Sequence, residues 1–211
     1  MNKDNPSGKE NAYYNHIIKI IKENEEFLNS NKKRKKIFSE ISELMLDAID
    51  YLQGRDFTKD PKAYFVFNAL MPFSQGIYIS ILSGNIASSH MQLRLLIEYL
   101  ALCAHAEKVD EEYILDKLEK TRKKFEKSVG GMVRSFDLNA FGLWSASSRW
   151  FHAKSHSRKI EKIVTHDKLK LWQIIQPAPY DKDDEKELTE FARNVKAFNN
   201  IINGYFNQQH K

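Results

Sequence analysis

Arg149, His152 and His156 carry the residue types from which this chain could build a phosphate-handling site. They stand at i, i+3 and i+7, which is one face of a helix if the helix persists that far. Trp144, Trp150 and Phe151 are interleaved with them. Between residues 144 and 162 the cations are Arg149, Lys154, Arg158, Lys159 and Lys162, against Glu161 as the one acid. Such a stretch suits a nucleic acid: cations such as Lys154, Arg158 and Lys159 hold phosphates while aromatic rings stack on bases. A structural reading stands beside it, in which the basic face is solvated, the aromatics are core, and the histidines complement the carboxyl end of a helix. His152 and His156 also have H-x-x-x-H spacing, but no glutamate gives H-E-x-x-H, and a third ligand would have to come from Glu98 or His105. No metal and no cofactor is expected.

A second group lies in residues 86–106, IASSHMQLRLLIEYLALCAHA, which are apolar nearly all round. His90, Arg94, Glu98 and His105 fall on one stripe of that helix. A helix apolar everywhere else is a central one, and its charged stripe must meet polar partners. Arg94 and Glu98, four apart, can pair. The favoured reading is a polar clamp to a neighbouring helix. The alternative is a ligand pocket in which Arg94 awaits a phosphate or carboxylate, lined also by His105 and His152, with Ser148 near it. His90 and His105 read most simply as core histidines held by carbonyls. Cys103, the single cysteine, packs as a small hydrophobe and permits no internal disulfide, which fits a reducing, cytoplasmic setting. Serine-nucleophile, P-loop and dinucleotide fingerprints are absent.

The elements that must position these groups are helical. Apolar periodicity predicts helices over about 10–29 (Tyr14, Ile17, Ile18, Ile21 and Leu28 inward) and 34–53 (Ile37, Ile41, Leu44). Asp60-Pro61 opens a third, running to about 83 with a kink or break at Pro72. Gly84-Asn85 turns the chain into the central helix. Asp110 should cap a fifth helix, 111–128, with Tyr113, Ile114, Leu118 and Phe125 inside and Gly130-Gly131 at its end. Asp137 caps a sixth, to about 154, with Leu138, Phe141, Trp144, Ser148 and Phe151 on one face. Residues 159–175 read as a short β-hairpin or an irregular helix end, extended structure being slightly preferred. Asp183 and Asp184 open the last helix, in which Phe191, Val195, Phe198, Ile202 and Tyr205 form a heptad-like seam for the bundle or for a second copy.

The fold class is therefore all-α: a disordered N-terminus over 1–9 and a single helical domain over 10–211, a bundle of about six to seven helices. Eight glycines and five prolines in 211 residues argue against a many-stranded fold. The net charge of +5 favours an anionic partner without identifying one. Lys32, Lys33, Arg34, Lys35 and Lys36 crowd a helix start, where the dipole disfavours cations, so either the first two helices are nearly continuous there or an anion holds the run; a solvated face is favoured over a phosphate-binding patch. The polar N-terminus lacks a signal-peptide core. Residues 63–93 contain no Asp, Glu, Lys or Arg, yet Asn68, Pro72, Gln75, Gly76 and Asn85 punctuate them, so buried core is expected rather than a membrane span.

One resemblance joins the two groups. Arg94-x-x-x-Glu98 after the small-residue turn SGNIASS, with Ser148 and His152 in the later LWSASSRWFH, resembles a group of helical prokaryotic proteins that is similar in turn to the HEPN superfamily. The likeness covers about residues 60–160. Many HEPN members are metal-independent ribonucleases of defence and toxin–antitoxin systems with an R-x(4–6)-H motif across a dimer interface. Arg149 and His156, six residues between them, meet that spacing. The resemblance implies a homodimer that binds RNA or another anionic ligand. It implies that Arg149 contacts the scissile phosphate and that His156, or His152, acts on the 2′-hydroxyl as general base. Whether the chain is an enzyme stays open. The competing expectation is a non-enzymatic interaction or regulatory protein that dimerises through its last helix.

Overall fold

A computed structural model describes residues 6–51, 55–148 and 178–207, which form an all-α bundle. Among the described residues there are eight helices and no strand: α1 (Pro6–Asn29), α2 (Lys32–Asp50), α3 (Pro61–Leu82), α4 (Ile86–Ala106), α5 (Ile114–Phe125), α6 (Val129–Phe136), α7 (Leu138–Ser148) and α8 (Glu185–Asn207). The 159–175 segment lies outside the described residues.

The central helix has the bounds its sequence sets. Gly84 takes a positive φ of 77°, and Asn85 Oδ1 accepts from Ser88 N at 2.9 Å to cap α4. α3 returns antiparallel against it. There Gly76 lets Gln92 in, since a Cβ on Gly76 would sit 1.9 Å from Gln92 Oε1. Gln92 Nε2 donates to Ser80 Oγ at 2.9 Å across the same seam. Leu93, Leu96, Ile97 and Leu100 of α4 are fully buried, and α4 also packs on α5, α6, α7 and α8.

Pro72 does not break α3. A π-helical turn over Val66–Leu70 precedes it, so the extra residue in the turn absorbs the missing N–H and α3 continues to Leu82. α3 is also the one described helix long and apolar enough to cross a membrane by length and composition.

Several expected boundaries and faces are corrected. α1 starts at Pro6, inside the stretch expected to be disordered, with proline in its first turn. Tyr14 points to water, and Ile20, Asn24 and Leu28 form the buried stripe. Asp110 caps nothing. α5 begins at Ile114, whose N–H goes to Thr58 O at 3.0 Å, and Tyr113 stands exposed before it. Gly130 and Gly131 lie in the first turn of α6, which Ser128 caps by accepting from Gly131 N at 3.0 Å. Leu138 is exposed, while Ala140, Ser147 and Ser148 are the buried side of α7.

The run of cations at α2 does meet an anion, an internal one. Glu185, in the first turn of α8, accepts from Lys33 Nζ through Oε1 and from Arg34 Nε at 2.9 Å through Oε2. The guanidinium of Arg34 also sits 3.8 Å over the Phe27 ring. The seam of α8 is consumed inside the chain: Phe191, Val195, Phe198 and Ile202 are fully buried against the bundle, and Tyr205 nearly so.

Candidate functional site: a central clamp and the helix it holds

The charged stripe of α4 resolves into separate environments. Its ends are 15 residues apart, about 22 Å along a helix, so one stripe meets several neighbours.

In the middle, Arg94 Nε donates to Glu98 Oε1 at 2.9 Å. Trp144 Nε1 donates to the same oxygen at 2.7 Å, and the Arg94 guanidinium lies 4.9 Å from the Trp144 ring. The three groups close on one another. The carboxylate takes two donors, and the cation rests on the π face of the ring whose N–H is bound by that carboxylate. Gly130 packs close beneath it, where a Cβ would come within 3.3 Å of the Trp144 ring edge. Phe141 stacks on the ring from the α7 side. The clamp thus fixes α7 on α4 four residues before the chain leaves Ser148 toward Arg149.

Beside the clamp is a cleft of about 340 Å³ between α4, α5 and α6, lined by Glu98, Tyr99, Arg122, Phe125 and Met132. Glu98 faces both, so the cleft and the clamp share one carboxylate.

At the amino end, His90 is buried with its ring edge-on to Phe191 of α8, centroids 4.8 Å apart. Burial pulls its pKa down to about 4, so the ring is neutral at physiological pH. At the carboxyl end, His105 Nε2 lies 3.1 Å from the Met132 carbonyl and 3.1 Å from Ser135 Oγ. A carbonyl only accepts, so Nε2 carries the proton. Burial again lowers this pKa, against the opposing pull of the Met132 carbonyl. His90 and His105 do not join Arg94 and Glu98 in one pocket. Ser148 donates to the Trp144 carbonyl at 2.6 Å, a back-bond within its own helix that leaves it no nucleophile's geometry. Burial pushes the Cys103 thiol up, which keeps it protonated and inert.

Arg149, His152, Lys154, His156, Arg158 and Lys159 lie outside the described residues. Among the described residues no group of three or more His, Cys, Asp or Glu side chains could hold a metal.

Two features went unread in the sequence. One is the donor role of Trp144; a buried indole N–H needs an acceptor, and that requirement was the available signal. The other is a groove of about 500 Å³ where α2 meets α8, lined by Lys33, Arg34, Lys182, Lys186 and Arg193 with Glu185 among them. The residues before α8 join the α2 run only in three dimensions.

No protein-family model matches the chain, and no curated protein or solved structure does. The fold defines an all-α helical bundle whose central helix clamps α7 through one carboxylate.

Proposed function

We propose that this protein is a HEPN-like RNA-binding bundle acting in the cytoplasm, and that its sharper activity is metal-independent RNA cleavage in a defence or toxin–antitoxin setting. One observation carries the reading. The basic, aromatic, histidine-bearing segment 149–159 follows directly on α7, and α7 is anchored to the central helix by the Trp144–Glu98–Arg94 clamp. A site is only as precise as the element that holds it, and the described helix that leads into this segment is held at Trp144, four residues before its end at Ser148. The outer face of α5, with Lys120, Arg122, Lys123 and Lys124 exposed, adds positive surface for a phosphate backbone.

In the cleaving form, Arg149 neutralises the scissile phosphate. His156, or His152, takes the proton of the 2′-hydroxyl as that oxygen attacks the adjacent phosphorus; the P–O5′ bond breaks, the 5′-oxygen leaves with a proton from the imidazolium so formed or from water, and a 2′,3′-cyclic phosphate remains, which needs no metal. The test is incubation of the purified protein with mixed RNA in EDTA, beside Arg149→Ala and His156→Ala. The parent should cleave and both variants should lose cleavage while keeping their helicity. Equal cleavage by all three, or none by any, removes the catalytic form and leaves RNA binding to be judged by affinity alone.

A further inference from the structure

We infer that the cleft between α4, α5 and α6 is a binding site for a zwitterionic α-amino acid with an apolar side chain. The observation behind it is a set of polar groups that line one small space and are not spent on each other. Glu98 binds Arg94 and Trp144 through Oε1 alone, and its Oε2 has no partner among the described residues. Arg122 and Glu126, one helical turn apart, line the same cleft. They stand at the spacing that lets opposite charges pair on a helix. Yet neither makes a hydrogen bond or ion pair with another described residue. Elsewhere on α5 the charges are used: Lys123 pairs with Glu119, and Lys120 with Glu111.

The rest of the lining is apolar. Leu102 and Met132, 6% and 5% exposed, form the floor, and Val129, 41% exposed, stands at the rim. The Phe125 ring completes the wall and is itself held by His105, centroids 4.7 Å apart. The volume of about 340 Å³ lies at the small end of the range for small-molecule sites.

Each part of that lining answers to a different chemical group. A carboxylate fits the planar fork of Arg122, which can take it through two parallel N–H···O bonds. An ammonium has three donors and no acceptor, and fits between Glu98 Oε2 and the Glu126 carboxylate. Glu126 stands at the carboxyl end of α5, where the helix dipole adds to the pull on a cation. An apolar side chain covers Leu102 and Met132. An apolar acid alone would face two carboxylates, an amine alone would leave Arg122 without a counter-ion, and a phosphate would meet two carboxylates for one available guanidinium. With Arg94 counted, two carboxylates and two guanidiniums balance around the cleft, so a ligand of zero net charge with separated poles completes it. An α-amino acid carries all three matching groups on one carbon.

Glu98 joins this site to the clamp. One oxygen holds Trp144 and Arg94 while the other takes the ammonium, so the ligand meets a carboxylate that the clamp has already oriented. Ligand and clamp therefore stabilise each other.

The inference does not rest on RNA binding. Its test is titration of the full chain with L-leucine and L-phenylalanine, followed by calorimetry and by the NMR resonance of the Trp144 indole N–H, which Trp144→Phe identifies. Both amino acids should move that resonance saturably, with a dissociation constant on the order of 0.1–1 mM for so few atoms in an open cleft. Leucinamide, which lacks the carboxylate, and 4-methylpentanoate, which lacks the ammonium, should bind at least tenfold more weakly. Arg122→Gln should weaken leucine at least tenfold and bring it level with leucinamide, and Glu126→Gln should weaken leucine without weakening 4-methylpentanoate. Lys120→Gln, on the same helix and outside the cleft, should change neither. No binding up to about 10 mM overturns the inference, as does binding that leaves the Trp144 resonance unmoved or that Arg122→Gln leaves intact. Guanosine or adenosine monophosphate moving that resonance at lower concentration than leucine would overturn it in favour of a nucleotide site.

Discussion

Trp144 Nε1 and Glu98 Oε1 stand 2.7 Å apart across two helices, and the same oxygen holds Arg94 Nε at 2.9 Å. This shared acceptor makes the pair more than an i, i+4 salt bridge. A surface pair of that kind contributes little because both partners stay hydrated and mobile. Here a rigid indole shields one edge and supplies a second donor.

Removing one member should reveal that order. Trp144→Phe keeps one aromatic ring but loses the N–H and the rest of the indole, so it should cost about 1 kcal/mol from the hydrogen bond alone. Glu98→Ala strands both donors and should cost more, about 2 kcal/mol. Urea unfolding of the two variants gives both numbers. If Glu98→Ala is as mild as Trp144→Phe, the carboxylate is not the organising group.

Asn24 is the buried polar residue that ties the chain's ends to its middle. Its Nδ2 donates to Leu82 O at 2.9 Å and to Ala178 O at 3.1 Å, and its Oδ1 accepts from Tyr180 N at 2.7 Å. Asn24→Ala leaves three backbone groups without partners in a closed site and should destabilise by roughly 3 kcal/mol. Glu25→Ala, one residue on and exposed, should change stability by less than about 0.5 kcal/mol. A loss under about 1 kcal/mol in Asn24→Ala would show that other groups carry this junction.

Acid should loosen the bundle through His90. Its pKa falls from 6.5 to about 4 on folding, so the unfolded chain binds more protons between those values. Stability is complete above pH 6.5 and declines as pH drops toward about 4, by up to about 1.4 kcal/mol per unit. His105 shifts the same way and adds to the slope. His90→Leu should flatten the Tm profile over this window, leaving the slope that His105 and the hydrogen-bonded carboxylates Glu119 and Glu185 supply. An unchanged profile in that variant would mean that His90 is not the titrating group.

Long, one-sided helices were the legible part of the sequence. Residues 86–106 announce themselves because apolar side chains surround a charged stripe and Gly84-Asn85 supplies a turn with its cap. The α8 seam was equally plain in its period, which left open whether the bundle or a second copy would cover it; the bundle buries it. Short helices were not legible, because their signals have two meanings. Gly130-Gly131 reads as a stop, but both lie in the first turn of α6, where Gly130 packs against Trp144, a contact between α6 and α7 that no local pattern states. Asp110 reads as a cap, yet Glu111 and Lys120 pair beside it and the helix waits for Ile114 to reach Thr58. Asn24 sat in the apolar stripe of α1 as a visible misfit, and its meaning depended on residue 178, far along the chain. At the clamp, spacing alone indicated Arg94 with Glu98, while Trp144 came from 46 residues away.

RNA affinity tests the central claim most directly. Fluorescence anisotropy with a labelled single-stranded RNA compares the parent with the triple variant Lys154→Ala, Arg158→Ala, Lys159→Ala. The account predicts that the parent binds, that binding weakens as salt rises, and that the triple variant binds at least tenfold more weakly with a shallower salt slope, since about 0.7 counterions are released per phosphate neutralised on a single strand. A parent that shows no salt-sensitive binding, or a triple variant that binds as the parent does, would contradict it.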